Sequence, residues 1–299
     1  MKGMGCDEKA LIRVFTDPKY ANPWAMTQLK EDFNRKFVRH LEKDIESETR
    51  GDLETALLAL IRGPLENDAR VLEKALVRAG TDEDALLGVL VGRSNADIRA
   101  ISAEYRRVHG RELLVDIKDD VKEDMYRLYS MVLAGTRAED HIPVLEHEID
   151  QKVTELQRAT EGRIGVNAVA VAQIFTSCNN AQIHALSAAY QRKYHRALRD
   201  VIEDEFRGDM EKILLTMLEL ATDRARCDAG WLREPLFKTP RKDRLLIHRV
   251  LMLRSDPPRL TAAKVAYKQR FGTTLRGDLK AIISNEYYES LMLRLIGEK

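Results

Sequence analysis

Residues Asn95 to Asp124, NADIRAISAEYRRVHGRELLVDIKDDVKED, align without a gap on Asn180 to Asp209, NAQIHALSAAYQRKYHRALRDVIEDEFRGD. The alignment pairs Ile98 with Ile183, Tyr105 with Tyr190 and Leu113 with Leu198. Within the first stretch, Ile98, Ile101, Tyr105 and Val108 recur at the spacing of a helix that buries one face. Self-similarity over this length marks a repeat architecture. A third copy runs from Phe33 through Leu41, Asp44 and Glu48 to Asp52. A fourth is carried by Arg254-Ser255, Tyr267, Phe271-Gly272, Leu275, Asp278-Leu279-Lys280 and Tyr288. Four units of unequal fidelity therefore cover nearly the whole chain.

Working outward, Leu86, Leu87, Leu90 and Val91 continue the helical pattern, and strand-like alternation is hard to find. Gly80-Thr81-Asp82, Gly92-Arg93-Ser94-Asn95 and His109-Gly110-Arg111 each read as a helix stop followed by a cap. In the second unit this predicts helices over about 66–78, 82–92, 96–109, 112–119 and 123–134, five short helices to a unit. The expected fold class is all-α, with units at 1–64, 65–138, 139–223 and 224–299. One unit has too little core to be very stable alone, so the four should pack against each other into a superhelical body. Generic helical solenoids of the HEAT or armadillo kind have two or three helices per repeat and shorter periods. Here the corresponding acids Glu48, Asp120 and Glu205 stand 72 and 85 residues apart.

Composition narrows the partner. The 49 basic and 48 acidic side chains leave a net charge of +1, which argues against nucleic acid, whose binders carry a basic excess or stripe. Bulk charge alone would not hold such a chain on an anionic membrane either, so something else must supply positive charge. No apolar run reaches the roughly 18 to 20 residues of a spanning helix, and the N-terminus lacks a signal pattern. Cys6, Cys178 and Cys227 are scattered and form no CxxC, which suggests neither a disulfide framework nor a zinc site. A soluble protein of the cytoplasm is expected.

A glycine bend and a distant acid recur together. Asp120 lies 40 residues after Gly80, Glu205 lies 40 after Gly165, and Glu48 lies 43 after Gly5. The three extra residues of the first unit fall in the proline-containing stretch from Thr16 to Gln28. Calcium accounts for such a pairing, because it takes six to eight oxygens in loose geometry and accepts backbone carbonyls beside a carboxylate. Glycine lets consecutive carbonyls converge, and carbonyls at a helix C-terminus carry partial negative charge without an intrahelical partner. Loop and acid supply about five oxygens, which leaves one to three positions for water or a lipid phosphoryl oxygen. Ordinary capping is the competing reading: Gly-Thr-Asp-Glu is also a glycine stop, a Thr or Asp N-cap and acids in the first turn. Recurrence at equivalent positions of the repeat favours calcium in the first two units and leaves the third nearly balanced.

These residues resemble the annexin family, whose loop pattern is Gly-x-Gly-Thr followed some 38 residues later by Asp or Glu. Lys2-Gly3-Met4-Gly5-Cys6-Asp7-Glu8, Arg78-Ala79-Gly80-Thr81-Asp82-Glu83 and the Tyr105, Gly110-Arg111-Glu112-Leu113, Asp116-Ile117-Lys118 series carry the resemblance, which spans the chain. It implies four five-helix repeats in a right-handed superhelical, slightly curved disc, with calcium ions on the convex face bridging to acidic phospholipid head groups. Carried over residue by residue, the carbonyl ligands fall on Met1, Gly3 and Gly5 with the carboxylate of Glu48. In the second repeat they fall on Leu76, Arg78 and Gly80 with Asp120, and in the third on Arg163 and Gly165 with Glu205. Cys6 and Val166 replace the family's threonine, Arg78 and Arg163 replace its first glycine, and Asn167-Ala168 replace Asp-Glu, which weakens the third site. The fourth loop is Lys238-Thr239-Pro240-Arg241-Lys242-Asp243 and the acid position is Ile282, so no calcium is expected there. Met1 already sits in the first loop, so the helix that precedes it in the family is missing from this sequence.

Other features read as structural. His141 and His147, six apart, do not share a helical face and read as surface histidines. No GxSxG, P-loop or HExxH occurs, and Cys178 reads as a buried or partly buried thiol. Trp24 and Trp231 read as packing residues at helix starts. Lys2, Arg78 and Arg163 read as solvated loop charges that could also reach lipid phosphates. The expectation is calcium-dependent, non-enzymatic binding to acidic phospholipid membranes, peripheral and in the cytoplasm when calcium rises. The alternative is a calcium-independent helical scaffold for another protein.

Overall fold

The computed structural model describes residues 6–76, 80–162 and 165–298. Among them are nineteen α-helices, one short 3-10 turn at Pro18–Tyr20, and no strand. The first four helices are α1 (Glu8–Phe15), α2 (Pro23–Phe37), α3 (Leu41–Glu48) and α4 (Gly51–Arg62). Next come α5 (Pro64–Leu76), α6 (Glu83–Leu90), α7 (Asn95–His109), α8 (Leu113–Asp120) and α9 (Glu123–Leu133). These five lie within two residues of the bounds read from the sequence. The third set is α10 (Glu146–Glu161), α11 (Ala168–Ser177), α12 (Asn180–Tyr194), α13 (Leu198–Glu205) and α14 (Gly208–Thr222). The last is α15 (Arg224–Phe237), α16 (Asp243–Arg254), α17 (Pro257–Phe271), α18 (Leu275–Ile282) and α19 (Glu286–Leu295). No helix among the described residues is long and apolar enough to cross a membrane.

The repeat is visible in helix length. α2, α7, α12 and α17 each have 15 residues, and the helices that follow them, α3, α8, α13 and α18, each have 8. Local chemistry sets these bounds. α7 and α12 start on capping boxes, Ser94 with Asp97 and Asn179 with Gln182, in which each side chain satisfies an amide that the helix leaves bare. α2 and α17 start on Asn22-Pro23 and Asp256-Pro257, a side-chain cap followed by a residue whose φ is already helical. All four stop on a left-handed residue: Val38, Gly110, His195 and Gly272. Glycine adopts that conformation without steric cost, whereas the β-branched Val38, at φ +52°, is strained by about 1–2 kcal/mol. The extra length of the first unit sits in residues 16–22, against 91–94 in the second, and contains the 3-10 turn.

Buried hydroxyls tie the long helix to the short one. Tyr105 donates to Asp116 Oδ2 (2.7 Å) and Tyr267 to Asp278 Oδ2 (2.6 Å). Burial, then the facing carboxylate, pushes both phenols far above their usual range, so they remain donors. In the third repeat Val201 replaces the aspartate, and Tyr190 donates instead to Glu161 Oε2 (2.6 Å) at the end of α10.

Two compact units result, Met1–Val71 with Asp228–Lys299, and Leu72–Cys227. In the first, α4 packs on α16 and α19, and α1 packs on α19, so the outer repeats share a core that includes Ile45, Leu57, Ile61, Leu246, Val250 and Leu291. Each such side chain contributes about 1.5–3 kcal/mol by leaving water. His248 Nε2 lies 2.6 Å from Asp68 inside this unit, and both residues are buried. In the second unit, α9 packs on α11, α10 on α12, and α12 on α14. Lys212 and Asp84 form an ion pair there. Cys178 is buried, and that burial pushes its thiol pKa up. The tryptophans depart from expectation. Trp24, the second residue of α2, is 72% exposed, because the capped start of that helix stands clear of the core. Trp231 is buried, but it lies in the middle of α15.

Candidate metal-binding loops

Three of the candidate loops, those of the second, third and fourth repeats, share a main-chain frame. In the second repeat α5 ends at Leu76, and α6 is capped by Asp82, whose carboxylate accepts from Ala85 N (3.2 Å). The Asp82 amide donates back to Ala75 O (3.0 Å), and this bond closes the loop. The equivalent bond runs from Asn167 N to Ala159 O (2.7 Å) in the third repeat and from Lys242 N to Pro235 O (3.0 Å) in the fourth. Asp7, the cap of α1, holds the corresponding place in the first. The residue just before each cap is therefore Cys6, Thr81, Val166 or Arg241, and this position sets the loops apart.

Thr81 brings the bend and the acid together. Its hydroxyl lies 2.7 Å from Asp120 Oδ2 and 2.9 Å from Asp120 O. Asp120 is the last residue of α8, where the helix leaves its final carbonyls without partners. Gly80, the neighbour of Thr81, has φ +97°, and nothing stands within 4 Å of where a Cβ would be. The surroundings are negative: burial, and then the charges of Asp209, Asp82 and Asp84, hold the Glu83 carboxyl above its usual range. Lys212, paired with Asp84, offsets part of this charge, and the remainder favours a cation.

The third loop keeps the frame but not the tie. Gly165 has φ +90° with open space about it, and the Asn167 side chain accepts from Ala170 N (3.1 Å). Glu205 ends α13 and is half-buried, yet no hydrogen bond or ion pair joins it to a described residue, since Val166 has no hydroxyl to offer. In the first repeat Met1, Gly3 and Gly5 lie outside the described residues, as do Arg78 and Arg163 in the others. Cys6 is described, and burial, then the charges of Glu8 and Glu48, push its thiol pKa up. The Glu48 carboxylate at the end of α3 thus acts on the residue beside the first loop.

The fourth loop carries its own cation. Arg241 donates from Nε to Asp243 Oδ1 (2.6 Å), from one terminal nitrogen to Ile282 O (3.1 Å), and from the other to Asp52 Oδ2 (3.3 Å). Ile282 ends α18 as Asp120 ends α8, so the guanidinium reaches the carbonyl that the Thr81 hydroxyl reaches in the second repeat. These residues do not fit a metal ion. The sequence marks this loop as cationic and glycine-free; the fold adds that the Arg241 side chain occupies it.

Two more arginines close corners beside the acids. One terminal nitrogen of Arg50 lies 2.7, 3.2 and 2.7 Å from the carbonyls of Glu46, Ser47 and Thr49. Arg207 does the same for Glu203, Asp204 and Phe206, at 2.6, 3.0 and 2.5 Å. Each satisfies the helix-end carbonyls around a candidate acid, Glu48 or Glu205. The second repeat has Lys122 at this position.

The donor set of the second and third loops fits calcium. No cluster of three or more His, Cys, Asp or Glu side chains that could hold a metal occurs among the described residues, so an ion at these loops would draw mostly on main-chain carbonyls. Calcium accepts such oxygens readily. His141 and His147 are exposed.

Comparison with known proteins gives a consistent answer. The family model described as Annexin matches residues 1–60, 67–132 and 151–217, more than half of the chain. The chain is 29% identical to Annexin A13 of Mus musculus, over 98% of its own length and 91% of that protein's. Its fold resembles the structure of annexin III, with a TM-score of 0.90 at 24% identity over 100% of this chain and 90% of that one. It also resembles that of calcium-bound annexin (Sm)1, with a TM-score of 0.85 at 22% identity over 99% and 87%.

Proposed function

The chain belongs to the annexin family, and from that premise we propose that it binds anionic phospholipid membranes through calcium held in its inter-helix loops, without enzymatic activity. The observation that carries this reading is the meeting of bend and acid in the second repeat, where the Thr81 hydroxyl touches the Asp120 carboxylate. The carbonyls of Leu76, Arg78 and Gly80 with Asp120 would hold one ion. Those of Arg163 and Gly165 with Glu205 would hold another, and those of Met1, Gly3 and Gly5 with Glu48 a third. Repeat limits at 1–64, 65–138, 139–223 and 224–299 go with this assignment. Bound calcium supplies the positive charge that the near-neutral chain lacks, with coordination positions left for lipid phosphoryl oxygens. The chain's own part is to aim carbonyls through left-handed glycines, to hold Asp120 against the bend, and to keep the ground around Glu83 negative.

One carboxylate per site places affinity without lipid at about 10⁻⁴ to 10⁻³ M. Lipid that completes the shell raises that affinity, and by linkage calcium raises affinity for lipid by the same factor. Cosedimentation with phosphatidylserine vesicles tests the reading. Pelleting is expected with millimolar calcium and is expected to be largely lost in chelator; equal pelleting in both would end it.

A further inference from the structure

The fourth loop shows what a repeat does when a side chain takes the ion's place. Its frame is intact, with Lys242 N bonded to Pro235 O, and its centre is filled by a guanidinium that contacts Asp243, Asp52 and the Ile282 carbonyl. This loop needs no added ion to hold its shape. The seven residues Lys238 to Arg244 carry four bases, Lys238, Arg241, Lys242 and Arg244, against one acid, Asp243, with Asp52 and Glu234 reaching in from neighbouring segments. The matching stretch of the second repeat, Arg78 to Asp84, contains three acids and one base. Lys238 and Arg244 are exposed, although the Lys238 ammonium lies 3.7 Å from Glu234. The loop also borders a candidate calcium site, since Asp52, which Arg241 grips, lies in the first turn of α4, four residues beyond Glu48.

We propose that the Lys238–Arg244 loop is a calcium-independent contact for the anionic bilayer, one that bears permanent positive charge where the other loops must borrow it. The inference rests on the membrane-binding reading above for its partner and for the face of the first unit that meets it. Charge complementarity identifies that partner, because a cluster of basic side chains beside a lipid-facing site gains from the negative surface potential of the membrane. Arg241 serves the contact as a positioning residue: it neutralises Asp52 and Asp243, so that the bases beside it, exposed Arg244 foremost, set the sign of the loop's field toward lipid phosphates. Its planar fork suits this work, since it engages three acceptors in fixed directions, which a lysine cannot do. Such a contact should be salt-sensitive and indifferent to chelator, whereas calcium-bridged contacts should be the reverse.

The test is cosedimentation of the full chain in chelator with vesicles of phosphatidylserine and phosphatidylcholine, and with phosphatidylcholine alone. At about 0.05 M salt a measurable fraction of the wild-type chain should pellet with the mixed vesicles only, and about 0.5 M salt should abolish it. Lys238→Glu with Lys242→Glu and Arg244→Glu should lower this chelator-resistant fraction at least tenfold. The milder pair Lys238→Glu with Arg244→Glu, confined to exposed side chains, should lower it at least threefold. Thermal melting and retained pelleting at saturating calcium show that both variants are folded. Chelator-resistant binding that is absent in the wild type, or unchanged in the milder variant, overturns the proposal. Loss of all calcium dependence, with the charge-sensitive fraction intact, would instead overturn the calcium reading alone.

Discussion

The loop ahead of α6 and the loop ahead of α16 close on the same main-chain bond, yet they meet the neighbouring helix end in opposite ways. In the second repeat a neutral hydroxyl, Thr81, reaches the end of α8 and finds a carboxylate there. In the fourth a guanidinium, Arg241, reaches the end of α18 and finds a bare carbonyl, with two further carboxylates to balance it. Helix-end carbonyls and nearby acids make a negative pocket in both places, and a negative pocket needs a cation. The fourth loop builds that cation into the chain as Arg241; on the function proposed above, the second takes it from solution. The two loops differ at the position just before the helix cap, Thr81 against Arg241, and at the helix end it reaches, Asp120 against Ile282.

The strongest way to break this comparison is to remove the acids. Asp120→Ala with Glu205→Ala should raise the calcium needed for half-maximal vesicle pelleting by more than tenfold, while Ile282→Ala should leave it alone; equal effects would erase the distinction. Next in size is Arg241→Ala, which leaves Asp52 and Asp243 facing each other without their cation. A loss of about 1–2 kcal/mol in urea unfolding is expected, discounted because the site is partly solvated, with calcium-dependent pelleting unchanged. Thr81→Val copies the third loop into the second. It should cost about 1 kcal/mol, read as a severalfold rise in the calcium midpoint at the second site.

The smallest effect is one of pH. Burial, then the charge of Asp243, raises the Asp52 carboxyl above its usual range even with Arg241 beside it. A carboxyl with a raised pKa in the folded state penalises folding once it ionises, so the penalty is present above the folded pKa and absent below the unfolded one. Asp52→Asn should therefore stabilise the chain by less than about 1 kcal/mol at pH 7, and the gain should vanish below about pH 4 in melts compared across pH.

Helix content and repeat period were legible because they rest on local chemistry. The five helices of the second unit fell within two residues of expectation, since Ser94, Gly110 and Asp82 are caps whose bonds span three or four residues. The pairing of the outer repeats through α4, α16 and α19 was not legible, because it joins residues some two hundred positions apart through faces that look like any other apolar stripe. At the candidate sites the recurring acids could be read from spacing, but not how differently they are held. Thr81 and Val166 differ by one hydroxyl, and only the folded chain shows that this hydroxyl is what reaches the acid. Trp24 was misread because a bulky residue at a capped helix start carries no mark of which way the helix faces. The positive charge of Arg241 was legible, but its acceptors were not, because Ile282 and Asp52 lie 41 and 189 positions away.

The hydroxyl that fixes Asp120 has a kinetic corollary. A ligand already oriented loses less freedom when it captures its ion, so the second repeat should fill at lower calcium than the third, whose acid has no such restraint. Attachment would then begin as a single-point tether during a modest calcium rise. Engagement of further loops, once the chain is held near the bilayer, becomes an intramolecular event at high effective concentration and lengthens residence time steeply. Brief and sustained calcium signals would thus be told apart by how long the protein stays on the membrane.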